Sequence, residues 1–364
     1  MRSARSLCLL SAMLLAVGCS DAPTEPGSRP LSAEELEGGA GKVGVVTRNL
    51  YVGTDVDAVI AALAGAGDPQ AALIQAIQTL GQTNFPARAA AIADEIGRTR
   101  PDAVGLQEVS QIDLVLPPFG VDIHQDFLPT LLAELRQRGL PQYVVAAQVK
   151  NIEATPFPGV SLVDYDALLV DSRRVKVGAA SGQNFQANLG NVAPGVVLKR
   201  GWVSAAVTIR GTELTLASTH LESGNAAGLD QLRAGQMQEL VASIDPAKPA
   251  ILMGDLNDSP GSLMYQVLAG AGFIDAWTAL RPGVVGNTCC HLTDLSNPVP
   301  NLTQRIDYVF ARGAEQRSTR LSGEIQLLGA VAGDRISGLG IWPSDHAGLA
   351  AQLRLFALSQ DQHE

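Results

Sequence analysis

Aromatic residues make up only 4% of this 364-residue chain, so its interior must rest on Ala, Val, Leu and Ile. Charge is also sparse, at 17% of residues against 46% apolar, a balance that excludes a disordered chain. Positive charge is in deficit, with 26 basic against 36 acidic side chains and a formal charge of −10. Such a chain exerts no long-range pull on polyanions, which weighs against tight non-specific nucleic-acid binding. A bound metal or a local basic stripe can reverse that field in one cleft. Histidines number five and do not cluster, so a zinc hydrolase built on neighbouring imidazoles fits poorly. The four cysteines are Cys8, Cys19, Cys289 and Cys290. Within the body this leaves either a strained disulfide between neighbours or two buried thiols. Cys289, Cys290 and His291 are too crowded to chelate one ion well.

The N-terminus reads as a targeting segment. Arg2 and Arg5 precede an apolar run over 7–17, too short to remain as a bilayer span, followed by Gly18 and Cys19. Small residues leading into a cysteine resemble a bacterial lipoprotein signal. The resemblance implies an exported chain lipidated at Cys19 and anchored in a bacterial membrane, with Ser20 favouring the outer membrane. Ala16 stands where such signals usually carry Leu, and an ordinary cleaved secretory signal is the alternative. Residues 1–18 are read as the signal peptide, 19–41 as a flexible tether rich in Pro, Gly, Ser and Glu, and 42–357 as one domain.

Strands and helices interleave along the body, with no internal repeat. Apolar runs predict strands over 42–50, 103–106, 142–148, 165–171, 201–209, 213–219, 249–253, 306–311 and 347–355. Helices are predicted over 55–64, 69–80, 86–97, 125–138, 229–244 and 262–269. In the third of these, Ile92 and Ile96 share a face, with Arg88 and Asp94 placed elsewhere. Residues 184–194 and 282–300 read as loops able to shape a cleft. A hairpin at 210–212 makes a mixed sheet the expectation.

What is abundant is polar chemistry at the ends of apolar runs. Five motifs follow in order: Gly-Leu-Gln-Glu at 105–108, Ser-Thr-His-Leu at 218–221, Gly-Asp-Leu-Asn at 254–257, Arg-Ile-Asp-Tyr at 305–308 and Ser-Asp-His at 344–346. Hard oxygen donors such as Glu108, Asp255, Asn257, Asp345 and Asn49 suit Mg2+ or Mn2+. His346 adjoins Asp345 on an extended segment, so one of the two can face a metal while the other meets a water. Asp307 is the candidate carboxylate to orient His346, and His220 can donate to a phosphoryl oxygen. A phosphodiester repels nucleophiles and has a poor leaving group, and a cation, an activated water and a charge-stabilising donor answer these obstacles.

The five motifs in this order resemble the endonuclease/exonuclease/phosphatase superfamily, which includes DNase I-like nucleases, sphingomyelinases and inositol-phosphate phosphatases. The resemblance covers 42–356. It implies an α/β fold, a four-layer sandwich of two mixed β-sheets flanked by helices (DNase I-like). It further implies that Asn49, Glu108 and Asp345 hold Mg2+ or Mn2+ and that His220 stabilises the phosphoryl group. Asp255 and Asn257 would position nucleophile and phosphate, and Asp307 would orient the general base His346. Tyr165 and Asp166 fall where some members place a phosphate-contacting residue. Arg48 replaces the aromatic often found before the first Asn, and 49–86 is longer and richer in Ala than in compact nucleases.

The implied partner is a phosphoester: nucleic acid, phospholipid or a small phosphate ester. Arg173, Arg174, Lys176, Lys199 and Arg200 are the basic residues that could meet a nucleic-acid backbone, or form a solvated face. A phospholipid enzyme needs an exposed apolar loop, for which 117–119 and 157–158 are candidates. Trp342, just before Ser344, has the best claim among the tryptophans on a substrate. A binding lipoprotein that kept the fold and lost the reaction is the competing class. No motif residue is missing, as such a protein would require. His124 and His363 are given no role, and His291 reads as loop structure, with contact to substrate as the alternative.

Overall fold

Residues 41–313 and 321–355 are described by the structure, a computed structural model. The expected signal peptide, the tether up to residue 40 and the lipidation site at Cys19 lie outside them. The strands are β1 (Lys42–Asn49), β2 (Ala103–Leu116), β3 (Val121–Asp126), β4 (Tyr143–Ala154), β5 (Val160–Asp171), β6 (Val175–Asn184), β7 (Gly190–Ala193) and β8 (Val196–Leu198). They continue with β9 (Gly201–Ile209), β10 (Thr212–His220), β11 (Ala250–Asp255), β12 (Ile274–Asp275), β13 (Asp307–Arg312), β14 (Ser322–Leu328) and β15 (Gly348–Arg354). The α-helices are α1 (Val56–Ala61), α2 (Pro69–Thr83), α3 (Phe85–Thr99), α4 (Phe127–Gln137), α5 (Leu229–Ser243), α6 (Leu263–Gly270) and α7 (Ala276–Leu280).

One sheet runs β14-β15-β1-β2-β5-β4-β8-β7, with β3 hairpinned to β2, and the other runs β12-β13-β11-β10-β9-β6. Each is mixed: β1–β2 and β10–β11 are parallel pairs among antiparallel ones. Val43, Val45, Leu168, Val203, Leu216 and Ile251 belong to the core between the sheets. A second core lies where Phe85, Ile92, Ile96, Phe127 and Leu131 cover the first sheet, and a third where Met237, Leu240 and Leu268 cover the other. This is the four-layer sandwich that the resemblance implied. Burial on both faces explains why β11 reads as an unbroken apolar run.

Local signals set α3. The Asn84 side chain accepts from Ala87 N, Pro86 occupies the first turn, and Arg100 in a left-handed conformation followed by Pro101 ends the helix. Arg88 is a correction to the sequence reading: four residues before Ile92, it lies on the buried face. Further differences lie in the strands. β2 extends to Leu116, with Ile112 and Leu114 buried and Asp113 and Val115 exposed. β3 occupies residues assigned in part to a helix, and 184–194 holds the end of β6 and all of β7. β6 is an edge strand with few buried side chains, held by its ladder to β9, so it carried no apolar alternation to read.

Where the two sheets meet beneath the site, the contact is polar and close. Thr47 donates to Gln107, which donates to Ser218 Oγ at 2.9 Å, linking β1, β2 and β10. Gly105 makes this approach possible: a Cβ there would stand 2.5 Å from Ser218 Oγ.

Candidate active site

Strand ends deliver the polar residues to one rim. Register pairs His220 with Asp255 across β10–β11 and Asp255 with Asp307 across β11–β13. Asn49 ends β1, and Glu108 is turned out of β2 by an irregularity between Leu106 and Val109. Glu108 has φ 55° and Asn257 φ 50°, both left-handed, which is the strained backbone often found where side chains are aimed for function. Asn257 is held by an Asx contact from its N–H to Asp255 Oδ1 and donates its Nδ2 to Leu221 O.

Asn49 Nδ2 donates to Glu108 Oε1 at 3.0 Å and to Asp255 Oδ2 at 3.1 Å, while its Oδ1 accepts from Tyr51 N. The second Glu108 oxygen accepts from Val52 N at 2.7 Å. Ser344 Oγ donates to Asn49 O and accepts from His346 N, tying β1 to the Ser-Asp-His segment. Thr288 Oγ1 accepts from Asp307 N, and Thr288 O accepts from Ala347 N.

The two imidazoles are held with opposite polarity. His346 Nδ1 lies 2.8 Å from Asp307 Oδ2, so its proton sits on Nδ1 and Nε2 is the accepting nitrogen of the neutral ring. His220 Nδ1 lies 3.2 Å from Arg200 Nη1. A guanidinium only donates, so Nδ1 accepts and the proton is on Nε2, which lies 3.6 Å from Asp255 Oδ2. Burial, Arg200 and His346 all push the His220 pKa well below the ordinary range, so this ring is neutral. Burial also disfavours the His346 imidazolium, but Asp307, Asp345 and Asp255 outweigh it and raise that pKa well above the ordinary range, so Nε2 becomes an acceptor only once those carboxylates are offset and the ring gives up its second proton.

The carboxylates themselves are crowded. Asp255 is pushed up to about 7 by burial and then by Asp307, and Asp345 to about 6 by burial, against His346 and with Glu108. Asp255, Asp307 and His346 each offer a ligand atom within 4.8 Å of the others. This concentration of carboxylates with unbalanced negative charge is the chemistry a divalent cation neutralises, so the residues fit a divalent metal.

Of the predicted residues, Asn49, Glu108, His220, Asp255, Asn257, Asp307, Asp345 and His346 are brought to this rim. Tyr165 is not. Side chains alternate along β5, and Tyr165 packs against the apolar cluster between the sheet and its helices, while Asp164 and Asp166 occupy the other face. Asp164 is buried, accepts from Ser110 Oγ at 2.7 Å and is pushed up to about 7 by burial and by Glu108.

Sequence reading missed several supporting residues. Arg200 is buried against His220 and Glu222 rather than lying on a solvated basic face. Arg174 is tied to Asp171 and Asp102. Buried Arg48 donates to His346 O and pairs with Glu95, and Arg88 donates to Leu50 O, Tyr51 O and Pro343 O. The helical period was the signal that could have found Arg88; Arg48 and Arg200 stand out in the sequence, but nothing local marks their burial or their partners. Trp342 is fully buried, stacked on His291 and bonded to Asn297 O, which removes its claim on substrate.

Residues 78–346 match the Endonuclease/Exonuclease/phosphatase family. No curated protein matches the chain. Among solved structures, the fold is similar to an endonuclease/exonuclease/phosphatase from Beutenbergia cavernae, with 20% identity and a TM-score of 0.54 over 86% of this chain and 72% of that one. It is similar to a family protein from Leptotrichia buccalis, with 17% identity and a TM-score of 0.55 over 85% and 99%. It is also similar to D. rerio TDP2 complexed with single strand DNA product, with 18% identity and a TM-score of 0.50 over 86% and 98%.

Proposed function

The chain belongs to the endonuclease/exonuclease/phosphatase family, and from that premise we propose that it is a divalent-metal-dependent phosphodiester hydrolase. Family members are phosphoester hydrolases and generally depend on a divalent metal. The observation that carries the reading is the opposite polarity of the two imidazoles beside one acidic cluster. His346 Nε2 accepts the proton of the attacking water, while Asp307 holds the ring and stabilises the imidazolium that results. His220 Nε2–H donates to a phosphoryl oxygen, its tautomer set by Arg200. Asp255 and Asn257 orient nucleophile and phosphate. Glu108 and Asp345 would hold Mg2+ or Mn2+, with Asn49 bracing Glu108. When bound, such an ion supplies Lewis-acid stabilisation of the phosphoryl oxygens.

The substrate we favour presents one phosphodiester rather than a long duplex. Arg200 and Arg174 are committed to internal partners, and the net charge of −10 gives no polyanion footprint. One observation favours a second reading, a phospholipid. Phe119 at 72% exposure, Phe157 at 41% and Val115 at 40% lie on adjoining strand tips, where Val115 N donates to Gly159 O. Export and a lipid anchor at Cys19 complete the proposal; Cys19→Ala should move the chain from the membrane to the soluble fraction.

The test is cleavage of supercoiled plasmid, single-stranded RNA, sphingomyelin vesicles and a chromogenic phosphodiester by the full chain with Mg2+, Mn2+ or EDTA. Metal-dependent cleavage absent in Asp255→Ala is the expected outcome, and preference for vesicles selects the second reading. Silence on every substrate from a folded protein would favour a non-catalytic binding role.

A further inference from the structure

A second ligand set adjoins the base, and its donors are soft. Cys289 and Cys290 are joined as a disulfide, and Cys290 Sγ lies 3.9 Å from His346 Nε2. That nitrogen is the one Asp307 leaves free. Cys289, Cys290 and His346 each offer an atom within 4.8 Å of the others. The sequence neighbour His291 is not the third member, because its ring stacks on Trp342 and its Nδ1 is engaged by Asn297. With the imidazole coming from a distant segment, the crowding of three consecutive ligands is relieved. Backbone contacts pin the arrangement: Cys289 bridges to Gln304 and His346, His291 N donates to Asp345 O, and Ala347 N donates to Thr288 O.

We propose that reduction of this disulfide creates an inhibitory site for a thiophilic divalent cation such as Zn2+, held by Cys289, Cys290 and His346 Nε2. A dithiol reductant delivers two electrons to the S–S bond and becomes a cyclic disulfide, and its two protons pass to the cysteine sulfurs. Cation binding then releases thiol protons to solvent as the thiolates ligate. Sulfur and imidazole donors select Zn2+ over Mg2+, which takes oxygen. Asp307 on Nδ1 is the carboxylate that orients a metal-bound imidazole and raises its basicity. Cys290 is partly exposed, which gives reductant and ion a path. An imidazole whose Nε2 is ligated takes no proton from water. The inhibitory effect therefore rests on the role proposed above for His346; the binding site does not.

The full chain, oxidised or reduced with dithiothreitol that is then removed, is titrated with Co2+ and Zn2+. A sulfur-to-cobalt charge-transfer band, bleached by Zn2+, is expected from the reduced chain alone and is lost in the Cys289→Ser/Cys290→Ser double variant. His346→Gln should weaken binding by more than the roughly 10–100-fold that follows loss of an outer partner of a metal-bound imidazole. With Mg2+ present, Zn2+ should suppress cleavage of the chromogenic diester by the reduced chain at concentrations that spare the oxidised chain and the double variant. No thiolate band from a folded, reduced chain overturns the proposal, as does undiminished affinity in His346→Gln or equal Zn2+ inhibition of all forms. If no form cleaves the diester, the cobalt titration alone decides the site, and the hydrolase reading is decided separately by the substrate panel above.

Discussion

Asp307→Asn isolates the role of the carboxylate behind His346. The amide matches the carboxylate in shape, so the buried pocket is filled and Thr288 still receives the residue's N–H. What changes is the hydrogen bond at 2.8 Å. An Asn that donates its Nδ2–H to Nδ1 forces the imidazole proton onto Nε2, the wrong tautomer for accepting one from water. General-base assistance is worth roughly 10²–10⁴ in rate, which is about 2.7–5.4 kcal/mol of barrier at ~1.36 kcal/mol per tenfold. The pH profile moves as well. Burial lowers the His346 pKa and Asp307 leads the carboxylates that raise it, so removing that charge lets it fall. The acid limb of kcat/KM in Asp307→Asn should therefore lie at lower pH than in the parent, at a much reduced plateau. Rates on a chromogenic diester at saturating Mg2+, with a melting curve to verify folding, provide the assay. A folded variant with near-parental turnover, or an acid limb that does not move, would refute the assignment.

Arg200→Met should lower kcat by roughly 10²–10³, the loss seen when one donor to a developing oxyanion is removed, and should also lower Tm because Glu222 is left buried without its cation. Unchanged kcat would show that His220 keeps its tautomer without Arg200. Glu95→Ala strands the buried Arg48 guanidinium and should cost about 3–5 kcal/mol in urea unfolding; a loss under about 1 kcal/mol would contradict the pairing. Asp164 is raised to about 7, above its unfolded value of roughly 3.9. The fold therefore favours the protonated carboxyl: this stabilisation is complete below about pH 4 and is lost as pH rises through about 7. In EDTA, the urea midpoint should fall over that window, and Asp164→Asn should flatten the fall. An unaltered slope would mean that Asp164 titrates normally.

The sequence by itself determined most of the strands, the helices and most of the candidate rim, and the layers followed from the family resemblance its motifs carry. Burial of apolar runs against both neighbours makes strands such as β11 and helices such as α3 legible from composition and period alone. Asp255, Asp307 and His346 were visible because each stands at one limit of such a run: Asp255 after Gly254, Asp307 before Tyr308 and Val309, and His346 before Ala347. Tyr165 shows the limit of that reasoning: placing a residue on a strand does not choose its face, and register put its neighbours Asp164 and Asp166 on the other side. Only the tertiary structure decided the proton positions. Arg200 is 20 residues from His220, Asp307 is 39 from His346, and the Cys290 sulfur meets an imidazole 56 residues away. Hydrogen-bond polarity and pKa depend on distances of a few ångströms in a water-poor interior, and sequence patterns carry no such information across chain segments brought together by sheet packing.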